Sequence, residues 1–319
     1  MTVMMLVRVN GQDAHFSQFY ANPLYLNPAF AGSKVCPRLI MNYRNQWPAI
    51  PGSYVTYNAS FDMHFNALSG GLGVLVYSDR AGEGVLTTNS ASLIYSARIR
   101  LTKEIALKAG FQAGYYQKSI DFSRLTFGDQ IDPQWGFIYH TNQPPINEKV
   151  SNVDFASGIL LYSKLFYVGF ASHHLVEVNE SFIEPNGFSL LSRRYTGHIG
   201  GNIGLTSRGF KKIKPTDPVL SPNLVYMQQG DFHQLNYGLY FKKQPMIFGL
   251  WYRHFFEGSD AIIALVGFEY DKFKFGYSYD ITVSQLAPSS GGAHEFSFAL
   301  DFNCPVKRVK IHEISCPSF

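Results

Sequence analysis

A two-residue hydrophobic period, carried by ribbon after ribbon of about nine to eleven residues, restricts this chain more than any other feature of its sequence. In residues 53–61, SYVTYNASF, Val55, Tyr57, Ala59 and Phe61 alternate with Tyr54, Thr56, Asn58 and Ser60. Successive side chains of a strand point to opposite faces, so one face here is apolar and the other polar. The same alternation sets Phe273, Phe275, Tyr277 and Tyr279 against Lys274, Gly276, Ser278 and Asp280. It also sets Phe296, Phe298, Leu300 and Phe302 against Glu295, Ser297, Ala299 and Asp301. Continued along the chain, the pattern predicts about fourteen strands, near 38–46, 53–61, 70–79, 87–99, 104–115, 152–162, 165–173, 195–205, 219–227, 232–241, 246–253, 261–270, 272–279 and 294–302.

Alternation alone fits a soluble sandwich as well as a barrel in lipid; composition and connection lengths separate the two. Only 16% of the residues are charged while 16% are aromatic, against a usual charged share of about 25%. So few charges require burial in a core, in an assembly or in lipid. A mean hydropathy of −0.07 and a longest apolar run of AIIALVGF at 261–268 exclude a bundle of membrane-spanning helices, each of which needs about 20 apolar residues. The polar face is rich in Ser, Thr, Asn, Gly and Tyr and short of Lys and Glu, as a lumen wall is. Connections from odd to even strands include the three longest, 116–151, 174–194 and 280–293, whereas those from even to odd are mostly tight turns, with 206–218 the exception. That asymmetry belongs to outer-membrane barrels. The expected fold is all-β: a transmembrane antiparallel β-barrel of about 14 strands over residues 37–302. A soluble sandwich is the competing architecture, and the lack of a repeat near 40 to 50 residues disfavours a propeller.

Outside the strands the sequence offers little catalytic chemistry. No G-x-S-x-G, H-E-x-x-H or C-x-x-C is present, the glycine-rich GGLGVLV at 70–76 lacks phosphate-cradle spacing, and the neighbours His173 and His174 would point to opposite faces of a strand. The protein is expected to be no enzyme and to use no cofactor or metal. The formal net charge of +4 is not gathered into a nucleic-acid-binding surface. Its dense basic runs, 208–215 and 306–310, read either as solvated turns or as contacts to an acidic periplasmic partner, through Lys211, Lys212, Lys214, Lys307, Arg308 and Lys310. Residues 1–11 read as the remnant of a signal peptide, with a mature N-terminus near Gln12. Export would permit a disulfide between Cys304 and Cys316, each followed by proline, in a periplasmic tail over 303–319; Cys36 reads as an apolar filler.

Two end segments carry a resemblance. QDAHFSQFYANPLYLNPAFAG (12–32) resembles the start of mature PorP/SprF proteins, outer-membrane components of type IX secretion and gliding motility. Residues 261–302, with GYSYD, Ser284-x-Leu286 and GGAHE, and the closing CPSF, are similar to that family's C-terminal pattern, Ala293 standing where Ser is commoner. The resemblance implies a fatty-acid-transporter-like barrel in the outer membrane of a Gram-negative cell, with the N-terminal segment 12–36 acting as a plug in the lumen. Proline cannot join a ladder and holds its predecessor extended, so Asn22-Pro23 and Asn27-Pro28 keep this stretch out of the sheet, and Tyr25 and Phe30 must bury themselves against the lumen. The implied function is to export or surface-anchor a large partner adhesin through its C-terminal domain, together with other secretion components. A passive channel for hydrophobic small molecules is the alternative.

Overall fold

The computed structural model describes residues 12–141, 148–182, 189–206, 217–256, 258–283 and 290–304. Among them are fourteen long strands: β1 (Arg38–Gln46), β2 (Tyr54–Phe65), β3 (Gly70–Ala81), β4 (Leu86–Arg100), β5 (Ala106–Ile120), β6 (Lys149–Tyr162), β7 (Phe166–His173), β8 (Arg194–Gly201), β9 (Val219–Gln229), β10 (Phe232–Lys243), β11 (Met246–Phe255), β12 (Gly258–Tyr270), β13 (Phe273–Thr282) and β14 (Ala293–Asp301). Each pairs antiparallel with its neighbours in chain order. β1 also pairs with β14, Arg38 opposite Asp301 and Gln46 opposite Ala293, so the sheet closes on itself. Closure leaves no strand edge, and the backbone donors and acceptors are spent within the wall, as hydrocarbon requires.

Burial is inverted relative to a protein in water. Val74, Val76, Leu93, Phe111, Ile159, Phe170, Leu239, Phe248, Leu250 and Phe275 point outward and are exposed. Asn42, Arg44, Thr56, Asn58, Ser60, Asp62, Asn223, Asn236, Ser278, Asp280 and Glu295 point inward and are buried. A polar, charged interior behind an apolar exterior is the reverse of a soluble sandwich; here the apolar face looks onto lipid.

The predicted strands are present, with one systematic difference in length. β4 and β5 each run to fifteen residues and β6 to fourteen, so the loop expected at 116–151 shrinks to 121–148, while β7 and β8 have eight residues each. The extra residues, such as Gln117, Lys118 and Ser119, continue the ladder but are polar, so the hydrophobic period gives no sign of them.

The disulfide differs from the expectation. Cys304 is bonded to Cys36, 268 positions away, with the Cα atoms 4.5 Å apart; the bridge expected to Cys316 is not the one formed, and Cys36 is not a filler. Because Arg38 lies opposite Asp301, the residues just before β1 and just after β14 run alongside one another. Cys316 itself lies outside the described residues. A non-reducing peptide map is expected to contain a Cys36–Cys304 linked pair that disappears on reduction; recovery of a Cys304–Cys316 pair instead would contradict this arrangement.

Candidate functional site: the segment inside the ring

Residues 12–34 precede β1 and lie within the ring of strands. The two Asn-Pro pairs turn the chain rather than extending it: Pro23–Leu26 form a single helical turn, α1, and Pro28–Phe30 a 3₁₀ turn. Proline suits the first position of each, where no backbone donor is needed. Asn27 is extended before its proline, and its side chain accepts a hydrogen bond from the backbone N–H of Ala29 at 2.8 Å.

Apolar contacts fill the middle of the lumen. Phe19, Leu24, Leu26, Ala29, Phe30 and Ala31 are buried in one cluster with Leu75, Ile94, Leu160, Val225, Trp251 and Ile263 from the wall. Tyr25 stacks on Tyr77 at 5.7 Å, Phe30 on His198 at 5.3 Å, and Tyr20 meets Tyr167 and Trp251. The wall makes room with glycine: a Cβ at Gly110 on β5 would fall on the backbone of Pro28 and Ala29, one at Gly158 on β6 on the side chain of Asn27, and one at Gly71 on β3 on the backbone of Ala31 and Gly32.

Polar anchors hold the segment at three levels. At the rim that carries the long loops, Asp13 pairs with Arg194 and with His174, each at 2.8 Å, and His174 reaches Asp154 at 3.1 Å. Burial alone would raise the Asp13 carboxyl, but His174 and Arg194 outweigh it and hold it far below the usual carboxylate range. For His174, burial works toward the neutral ring, and Asp13 and Asp154 overcome it, pushing the imidazolium up to about 10. Its contribution is complete below the ordinary value of 6.5 and is lost as pH rises through about 10, so the anchor persists across the neutral range.

Farther along, the backbone N–H groups of Ser17 and Gln18 donate to the Glu295 carboxylate at 2.7 and 3.1 Å, and the Ser17 hydroxyl donates to Asp280 at 2.6 Å. Arg44 bridges Asp280 and Glu295 at 2.9 and 3.2 Å; Arg253 bridges Asp280 and Asp260 at 2.7 and 2.5 Å. Toward the short-turn rim, Gly32 N–H donates to Asp62, which also pairs with Arg38 at 3.0 Å. Lys34 pairs there with Asp301 at 2.7 Å.

Of the residues singled out in the sequence, Asn22, Pro23, Tyr25, Asn27, Pro28 and Phe30 are brought together inside the ring, and Asn22 accepts a hydrogen bond from Asn58 on β2. Lys211, Lys212, Lys214, Lys307, Arg308 and Lys310 lie outside the described residues. The two histidines do not diverge: His173 ends β7 facing inward, and His174, at φ 54°, turns back into the lumen as well. Sequence reasoning missed the anchors Asp13, Arg44, Asp62, Arg194, Arg253, Asp280 and Glu295. The available signal was charge in the inward phase of strands from a charge-poor chain. No group of three His, Cys, Asp or Glu side chains placed to hold a metal occurs among the described residues.

The toluene transporter TodX of P. putida aligns over 86% of this chain and 92% of its own, with a TM-score of 0.49 and 8% identity. A FadL homologue of Pseudomonas aeruginosa aligns over 87% and 93%, with a TM-score of 0.46 and 12% identity. The Acinetobacter baumannii outer membrane protein Omp33 aligns over 85% and 100%, with a TM-score of 0.44 and 8% identity. Each is a likeness of fold. No curated protein matches the chain. The family model of the type IX secretion system membrane protein PorP/SprF matches residues 8–300. The chain is an outer-membrane β-barrel and belongs to the PorP/SprF family of type IX secretion system membrane proteins.

Proposed function

We propose that this barrel is a non-enzymatic component of the type IX secretion and gliding apparatus, that its N-terminal segment plugs the lumen, and that its outward loops hold or help export a large partner adhesin. The observation that carries this reading is the breadth of the segment's attachment. Residues 13–34 bond to side chains from β1, β2, β4, β5, β8, β9, β13 and β14 and make ring contacts with others from β3, β7 and β11. A barrel filled in this way offers its rims, rather than its lumen, for work with macromolecules. The loops 121–148, 174–193 and 283–292 then face the cell exterior and meet the adhesin or sister subunits, and the basic connection and tail face the periplasm.

The passive-channel alternative requires an apolar path through the wall. The β12–β13 and β13–β14 pairings run without a register shift, and the shift between β11 and β12 lies at the rim, at Arg253 and His254, so where Gly267, Gly276 and Ser297 thin the wall the ladder is continuous, which favours a closed wall. Changing Lys211, Lys212, Lys214, Lys307, Arg308 and Lys310 together to Glu is expected to weaken capture of periplasmic secretion components by the purified barrel while heat-modifiable gel mobility stays unchanged. Capture at the wild-type level would remove the periplasmic part of the proposal.

A further inference from the structure

Beneath the long-loop rim, between residues 12–14 and the inner faces of β3 to β6, lies a polar cavity of about 100 Å³. Its walls include the carboxylates of Asp13, Asp79, Asp154 and Glu180 and the cations Lys118, His174 and Arg194. The cations are all engaged. Arg194 and His174 are held by Asp13 and Asp154, and Lys118 by Glu180 at 2.6 Å. Asp79 is the carboxylate left over: one of its oxygens accepts a hydrogen bond from the Thr56 hydroxyl at 2.7 Å, and no described cation lies within ion-pair distance of it.

The far end of the cavity presents a second unmet acceptor. Gln112 is only 7% exposed; its amide nitrogen donates to Ser92 at 3.2 Å, while its carbonyl oxygen Oε1 has no partner. An amide oxygen buried without a donor carries a desolvation cost that a ligand donor would relieve. Asp79 lies opposite Thr88 and Gln112 opposite Ile94 on β4, so their backbones are separated by about 20 Å of strand at about 3.3 Å per residue. Between them Gly114 contributes no side chain, Leu75 and Tyr77 form one wall, and Ser90 and Ser92 of β4 line the other. The slot is therefore long, mixed in polarity along its middle and acceptor-rich at both ends, with a negative charge at one of them.

We propose that this slot binds an elongated aliphatic cation, its ammonium paired with Asp79 and a second N–H or O–H donor bonded to Gln112 Oε1. The ammonium can belong to a free polyamine or to a lysine side chain offered by a peptide; an anion or a neutral hydrocarbon would leave both ends unmet. The test uses the full-length barrel in a neutral detergent, with titration calorimetry against spermidine and, separately, against an acetyl-Gly-Lys-Gly-amide peptide, in buffered salt. Saturable one-to-one binding of either probe is expected, and the tighter probe identifies the source. Asp79→Asn keeps the bond from Thr56 and is expected to weaken binding by about tenfold or more, the loss of one charged hydrogen bond. Gln112→Leu is expected to weaken spermidine by a smaller factor and leaves the ion pair in place, so it reports even if the first variant assembles poorly. Absence of saturable binding by both probes, or equal affinity in wild type and both variants, would overturn the proposal.

Discussion

Replacing Gly110 by valine is expected to raise the ion conductance of the barrel well above that of the wild type. A Cβ at this position falls on the backbone of Pro28 and Ala29, and backbone cannot step aside as a flexible side-chain tip can. β5 is paired on both sides, with β4 and β6, so the wall is fixed and the segment must yield. Overpacking of this kind costs about 1–3 kcal/mol, and a β-branched residue suits the strand itself, so the ladder survives while the turn at residues 27–31 is displaced. That turn carries Asn27, whose amide donates to the carbonyl of Ile159 at 3.0 Å, and Phe30 against His198; losing them releases the segment from β6 and β8 together. Single-channel recording in planar bilayers is the measurement. Gly197→Val is the control, because nothing lies within 4 Å of a Cβ there, and its conductance should match that of the wild type. A Gly110→Val barrel that is correctly assembled by gel mobility yet conducts no more than the wild type would mean that the seat does not close the lumen.

What the sequence disclosed, and what it withheld, follows from the range of the interactions involved. Alternation is a property of neighbours along one strand, so the ribbons around Tyr57 and Phe298 announce themselves without knowledge of their partners. The Asn-Pro pairs act within five residues, and their refusal to form strand was equally legible. The anchors are another matter. Arg44 and Glu295 are 251 positions apart and Asn27 and His198 are 171 apart; each pair meets only because the ring closes and its lumen is filled. The same holds for Cys36 and Cys304, which closure alone makes neighbours. Glycines 110 and 158 read in the sequence as unremarkable strand residues, and Gly71 only as part of a glycine-rich run, since what they accommodate comes from residues 27–32. His174 defied the two-residue rule because its positive φ ends the strand geometry on which that rule depends.

The second large effect is expected from Arg44→Met, which should cost about 3–5 kcal/mol of barrel stability, the penalty for leaving buried charge without its partner. Arg44 is buried between Asp280 and Glu295 and also donates to the Ser17 hydroxyl at 2.7 Å. Without it, Glu295 loses its only ion-pair partner among the described residues, and Arg253 alone is left to pair with Asp260 and Asp280. His15 offers no relief, since burial first, and the Arg253 guanidinium next, push its imidazole well below the ordinary value even with Arg44 gone. The measurement is the temperature at which heat-modifiable gel mobility is lost, read in a neutral detergent. Adding Glu295→Gln removes one of the stranded charges while leaving an oxygen to accept from the backbone of Ser17 or Gln18, whose N–H groups now both donate to that carboxylate. The double variant should therefore be more stable than Arg44→Met alone, although each change by itself destabilises; a coupling of that sign is what a direct charge pair produces and independent sites do not. If instead the two losses simply add, Arg44 stabilises the barrel by packing its aliphatic stem, and the charge network does not hold the segment at this level.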